Sequence, residues 1–279
     1  MNKTIHYCWF GGKPLPDSAV KCINSWKKFL PDFEIKRWDE TNYDVNKCPY
    51  MKEAYEAKKY GFVPDYARFD ILYEHGGLYF DTDVEVIKPL DDILQRGPFM
   101  GLEEGTVEDL IKLSKCKNVE KFTSYVACGL GLYATPKMKI YKELMNSYNN
   151  LHFLNNNKLN LLPSPVINTS FLLKKKISLI NNLAYCEGVY IYPIDYFNPL
   201  GKERALGDLN ITNNTRTIHH YDASWISDKE KKWLLKMKQK KIKIGSEKFK
   251  IYNRSVLTKI RRSLYVNGIF GFLKNSSKE

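Results

Sequence analysis

Cysteine is sparse in this chain, and its spacing excludes as much as its number. The 279 residues hold six cysteines, Cys8, Cys22, Cys48, Cys116, Cys128 and Cys186, and no two stand in a C-x-x-C arrangement. Neither a zinc site nor a disulfide framework is implied, and reduced thiols lying mostly in a core are expected. Long apolar runs are also missing. No window approaches the roughly 18 to 20 apolar residues that span a bilayer. The opening Met1-Asn2-Lys3-Thr4-Ile5-His6 has no apolar centre of the kind a secretion signal carries. A cytoplasmic protein is therefore expected. Gly11-Gly12 belongs to neither a G-x-G-x-x-G fingerprint nor a P-loop, so neither NAD nor ATP binding is implied. There is no internal repeat.

Apolar residues make up 43% of the chain, enough for a sizeable core. Tyrosine (19) and phenylalanine (14) are abundant, and most of them are expected to fill that core. The formal charge is +13, but it is unevenly placed. Residues 229–279 hold 16 Lys and Arg against 3 Glu, which leaves 28 basic and 28 acidic residues in 1–228. A neutral globular domain over 1–228 and a separate basic segment over 229–279 are expected.

The most informative stretch is Gly76-Gly77-Leu78-Tyr79-Phe80-Asp81-Thr82-Asp83. An aromatic run reads as a strand, and two carboxylates follow it at i and i+2. Strand side chains alternate faces, so Asp81 and Asp83 are expected to project together. Like charges held so close raise one another's pKa unless a cation lies beside them. An oxygen-seeking dication such as Mg²⁺ or Mn²⁺, of the kind that clamps a diphosphate, answers that need.

The pattern along the chain alternates strand and helix. Thr4 to Phe10 reads as a strand. A helix from Asp17 or Ser18 to about Leu30 has Val20, Ile23, Trp26 and Leu30 on its inner face. A strand over Phe33 to Trp38, a helix over Pro49 to Lys59 and a helix over Asp65 to His75 come next, the last ended by Gly76. Later strands are expected at 84–87, 99–102, 125–134, 189–192 and 216–221, and later helices at 138–148 and 166–175. The asparagine-rich stretches 149–150, 155–157 and 213–214 read as loops. This order predicts an α/β unit with a parallel sheet, and ligands of such sheets bind at the carboxyl ends of the strands.

Asp65-Tyr66-Ala67-Arg68, Leu72-Tyr73, the Gly76–Asp83 stretch and Lys88-Pro89-Leu90, in that order, resemble the sugar-binding DXD region of family 32 glycosyltransferases. Ile5 to Gly12 is similar to that family's opening strand. Thr217-Ile218-His219-His220-Tyr221 with Ser224-Trp225 is similar to its closing motif. The resemblance covers about residues 4 to 226, with a looser middle, and the glucosylating domains of clostridial toxins are distant relatives of the family. It implies a GT-A type nucleotide-diphospho-sugar transferase fold, a Rossmann-like mixed sheet flanked by helices.

The resemblance also implies roles. Asp83 is the direct metal ligand, while Asp81 holds the ribose and sugar hydroxyls and reaches the metal through water or directly. His219 is a further ligand, with His220 as the substitute, because neighbours on a strand face opposite ways. An imidazole tilts the metal towards Mn²⁺ without excluding Mg²⁺. Ser224 and Trp225 donate to the leaving β-phosphate. Asp65 accepts from sugar hydroxyls, and Arg68, on the same helix face, reaches the sugar or phosphate. Tyr79 lines the donor pocket, and Trp9 stacks on a uracil or guanine base, a contact worth about 1–3 kcal/mol.

The expected activity is a retaining, metal-dependent transfer of a hexose from a UDP- or GDP-sugar to a saccharide acceptor. The family's small members point to bacterial capsule or surface polysaccharide, on a lipid-linked acceptor. No carboxylate nucleophile stands out, so front-face attack is the expected route. The basic segment mixes Lys and Arg with Trp, Leu and Phe, as segments lying on anionic membranes do. Contact with the inner face of the cell membrane is expected of it. A metal-dependent nucleic-acid-binding protein or nuclease fits less well, because residues 1–228 are neutral. A catalytically inactive sugar-nucleotide-binding protein is disfavoured by the intact Asp81, Asp83 and His219.

Overall fold

The computed structural model describes residues 2–104, 124–155, 158–175, 177, 180–199 and 209–222, with 232 and 236. By contacts the chain divides into two units, residues 1–202 with 208–222, and residues 203–207 with 223–279.

Five buried residues in a row, Thr4–Cys8, make β1 a central strand. It pairs in parallel with β2 (Glu34–Trp38) and with β3 (Gly77–Tyr79). Between these strands run α1 (Asp17–Phe29), α2 (Pro49–Glu56), a 3₁₀ turn (Tyr60–Phe62) and α3 (Pro64–His75). The remaining described elements are β4 (Val84–Val86), α4 (Asp91–Arg96), β5 (Phe99–Glu104), β6 (Ser124–Val126), β7 (Leu132–Ala134), α5 (Lys139–Asn146), β8 (Leu154–Asn155), β9 (Lys158–Leu159), α6 (Ser164–Lys174), β10 (Ala184–Cys186), β11 (Val189–Tyr192), α7 (Ile194–Phe197) and β12 (Thr217–His219).

The main sheet runs β10-β11-β5-β7-β3-β1-β2, with β6 paired to β5. It is mixed: β11 joins β5 in parallel, whereas β7 is antiparallel to both β3 and β5. The α/β architecture expected from the sequence is therefore present, a central mixed sheet flanked by helices. Strand alternation divides the core. Leu78 and Phe80 face the layer containing Ile23 and Trp26 of α1, while Tyr79 faces the layer of α3, α5 and α6. Two small pairs stand apart, β4 with β12 and β8 with β9.

Several local expectations need correction. Val20 is exposed, and α1 buries Ala19, Cys22, Ile23 and Trp26 instead. The buried face runs through Ala19, Cys22, Ile23 and Trp26, at helical spacings of three and four, and Val20 falls outside it. The single strand expected over 125–134 is two strands, β6 and β7, joined by Ala127–Gly131. Gly131 has φ 153°, and the chain turns over this stretch to let β7 return between β5 and β3. The loop expected at 155–157 includes strand residue Asn155, while 156–157 lie outside the described residues.

Candidate active site

Parallel pairing of β1 and β3 brings Trp9 and Asp81 to the same end of the sheet, beyond the strands' carboxyl ends. Asp81 keeps the alternation of β3. It lies on the side of Tyr79, whose hydroxyl donates to its Oδ1 at 3.1 Å. Asp83 reaches the same place by a different route. The chain turns at Thr82-Asp83, with the Val84 N–H donating to the Asp81 carbonyl at 3.1 Å. The two carboxylates thus converge through a turn rather than through the strand pleat expected from the spacing.

β4 leaves that turn and pairs with β12 in the register Val84↔His219. This pairing delivers the imidazole of His219 to Asp83, with Nε2 at 3.0 Å from Oδ1. His220 points elsewhere: its Nε2 lies 2.8 Å from Glu85 Oε2. Among the described residues, Asp81, Asp83 and His219 are the group able to hold a metal ion, their ligand atoms all within 4.8 Å of one another. Nδ1 of His219 is buried and has no hydrogen-bond partner. Two carboxylates and an imidazole are a suitable donor set for Mn²⁺ or Mg²⁺, so the residues present fit a dication.

The electrostatics point the same way. Burial would raise the Asp83 carboxyl, but the His219 charge and hydrogen bond and the Asp222 N–H, 3.0 Å from Oδ2, hold it at about 2. Burial would lower His219, yet the Asp83 carboxylate outweighs it and raises the imidazole above its usual value. Asp83 is thus an anion and hydrogen-bond acceptor at neutral pH.

Behind Asp81 lies a buried polar cluster built on α3. Arg68 is fully enclosed; its Nη2 lies 3.2 Å from Asp65 Oδ1 and 3.5 Å from Asp81 Oδ1, and its Nε donates to the Pro64 carbonyl at 2.9 Å. Its guanidinium sits over the Tyr79 ring, 5.3 Å from the centroid. Burial pushes Asp65 up to about 6, with Arg68 opposing, and Tyr50 donates to its Oδ2 at 3.3 Å. The i, i+3 pair is interior, and α3 is buried almost all round.

Tyr79 is completely buried. The donor-lining position expected of it is not what the structure shows; it props Asp81 from below. Trp9 is half-buried, packs beside the α1 side of the core, and donates its indole N–H to the Lys13 carbonyl at 2.7 Å. Ser224 and Trp225 lie outside the described residues.

Sequence reasoning missed three residues at this site. Gly129 accepts the Asp81 N–H at 3.1 Å, and a Cβ built on it would stand 2.1 Å from Asp81 Oδ2. Tyr221 donates to the buried Glu103 at 2.6 Å and lays its ring against His219, centroids 4.0 Å apart. No spacing in the chain signals any of these contacts, although Tyr221 closes the Thr217–Tyr221 run.

Residues 16–100 match the family model described as the glycosyltransferase sugar-binding region containing the DXD motif. The chain is 26% identical over 203 residues to an uncharacterized glycosyltransferase of Acanthamoeba polyphaga mimivirus, covering 70% of this chain and 74% of that one. It is 29% identical over 96 residues to inositol phosphoceramide mannosyltransferase 3 of Schizosaccharomyces pombe, covering 33% of this chain and 27% of the relative. Solved structures with a similar chain path are PaToxG glycosyltransferase (17% identity, TM-score 0.44, 62% of this chain and 69% of that one) and the galactosyltransferase LgtC with donor and acceptor sugar analogues (14%, 0.41, 81% and 90%). With a match to the DXD sugar-binding region over residues 16–100 and a likeness to a glycosyltransferase along most of its length, the chain is a glycosyltransferase.

Proposed function

We propose that the protein is a retaining, metal-dependent glycosyltransferase of GT-A type. It moves a hexose from a UDP- or GDP-sugar to a saccharide acceptor. The observation that carries this reading is the convergence of Asp81, Asp83 and His219 beside Arg68, within the matched DXD region.

In this reading Asp83 and His219 hold the cation, with Asp81 as the third ligand. A bound dication neutralises the negative charge that gathers on a departing diphosphate. The protein's own residues do the rest. Arg68, held in place by Asp65 and Asp81, keeps a fixed positive charge under the donor. Asp65, held by Arg68 and Tyr50, accepts from sugar hydroxyls. Trp9 offers a partly exposed ring at the strand ends for the base. Ser224 and Trp225 donate to the leaving phosphate. The acceptor hydroxyl attacks from the donor's front face as the nucleoside diphosphate leaves and takes its proton, a route that needs no carboxylate nucleophile.

The finer expectations belong to the same proposal: family 32 membership, bacterial capsule or surface polysaccharide as product, a lipid-linked acceptor, and a basic segment over 229–279 that meets the inner membrane surface. Among the described residues no helix is long and apolar enough to cross a membrane.

A thermal-shift screen of UDP- and GDP-sugars with Mn²⁺ tests the core of this reading. One sugar nucleotide should raise the melting temperature and be hydrolysed slowly. Both effects should vanish with EDTA and in Asp83→Ala. Donor hydrolysis that survives EDTA would sink it.

A further inference from the structure

The candidate cation site draws on two separate sheets. Asp81 hangs from β3 of the main sheet, while His219 ends β12, which pairs with β4 in a two-stranded sheet of its own. The imidazole must hold its place relative to both aspartates. Metal-ligating histidines are ordinarily oriented through a hydrogen bond from their second ring nitrogen. His219 has none: its Nδ1 is buried without a partner. Instead the Tyr221 ring lies against it, centroids 4.0 Å apart and planes inclined by 48°. Tyr221 is in turn fixed at its far end, where its hydroxyl donates to Oε2 of Glu103 at 2.6 Å. Glu103 is buried in β5 of the main sheet. The chain at Tyr221 is left-handed, φ 54°, which is uncommon for a residue with a bulky side chain. The next residue, Asp222, turns its N–H to Oδ2 of Asp83 at 3.0 Å.

We propose that Tyr221, anchored to the main sheet by Glu103, is the positioning residue that orients His219 for a divalent cation. This rests on reading Asp81, Asp83 and His219 as a cation site. The ring supplies the lateral restraint that a hydrogen bond at Nδ1 supplies elsewhere, and the Glu103 bond ties the β4–β12 pair to β5 of the main sheet, the sheet whose β3 leads to Asp81.

The probe is Mn²⁺ alone, its free concentration followed by electron paramagnetic resonance on the full chain, with melting temperatures recorded in parallel without metal. Tyr221→Phe keeps the ring and loses the anchor; its Mn²⁺ dissociation constant should rise about tenfold. Tyr221→Leu loses both and should weaken binding at least as much. In the Tyr221→Phe background, Glu103→Gln should change the constant no further. A merely structural tyrosine would lower the melting temperatures and leave the Mn²⁺ constants unchanged, and that result would overturn the proposal. If the unaltered chain and Asp83→Ala take up Mn²⁺ alike, the cation reading itself fails and the proposal falls with it.

Discussion

Nε2 of His219 and Oδ1 of Asp83 stand 3.0 Å apart across 136 residues of chain. The β4–β12 register places them there, because Val84, next to Asp83, is the residue opposite His219. The neighbouring His220 faces the other way and pairs with Glu85. The two histidines should therefore respond differently to removal. His219→Ala should weaken Mn²⁺ binding by about 100-fold. His220→Ala removes only a partly exposed hydrogen bond to Glu85 and should cost about 1 kcal/mol of stability or less, with Mn²⁺ affinity unchanged. Calorimetric titration of both variants decides between them; weaker binding in the second alone would reverse the assignment.

Gly129 leaves no room for a side chain. A Cβ there would stand 2.1 Å from Asp81 Oδ2, against a carboxylate already held by Tyr79 and Arg68. Gly129→Ala should push Asp81 aside and lower kcat by about 100-fold, the usual cost of a displacement near 1 Å at a reacting centre. In an Asp81→Ala background the same substitution should cost little more. Equal losses in both backgrounds would show that the glycine acts on something other than Asp81.

Arg68 is buried between two carboxylates, and its removal should be felt in stability as well as turnover. Arg68→Met leaves Asp65 and Asp81 without their cation, and breaking a buried pair in this way costs about 3–5 kcal/mol. Adding Asp65→Asn should restore part of that loss, since it removes the carboxylate most deeply buried. Urea denaturation of the single and double variants measures both effects.

His6 gives the fold an acid limit. Its Nε2 faces the Gly76 carbonyl at 3.0 Å, and its Nδ1 accepts from the Trp38 indole at 3.0 Å, so the neutral ring fits and a second proton does not. Burial, set against the Gly76 hydrogen bond, lowers its pKa from 6.5 to about 4. The unfolded chain takes up this proton below pH 6.5 and the folded chain only near pH 4. Stability present above pH 6.5 should thus fall as the pH drops from 6.5 through 4, by on the order of 3 kcal/mol. In His6→Gln this share of the pH dependence should be missing, as the difference between the two proteins' urea midpoints at pH 7 and 4.5 would register.

Local signals carried much of the fold. The alternation of Thr4–Cys8, the helical spacing of Ile23 and Trp26, and Gly76 at the end of α3 are all near-neighbour effects, and the corresponding elements lie where expected. The expectation failed where distant strands intervene. The run 125–134 reads as one strand in isolation, yet β7 must pass between β3 and β5, and that forces the turn that holds Gly129 under Asp81.

The candidate site divides along the same line. The residue types, two aspartates, a histidine and an arginine, are a matter of sequence, because carboxylate and imidazole chemistry is intrinsic to the side chains. Which histidine meets Asp83, why Arg68 is interior, and what steadies the His219 ring were decided by tertiary structure. The contacts that settle these points, Arg68 to Asp81, Tyr221 to Glu103 and His219 to Asp83, join residues 13, 118 and 136 positions apart, and their geometry depends on strand register and on burial, which no local run of side chains encodes.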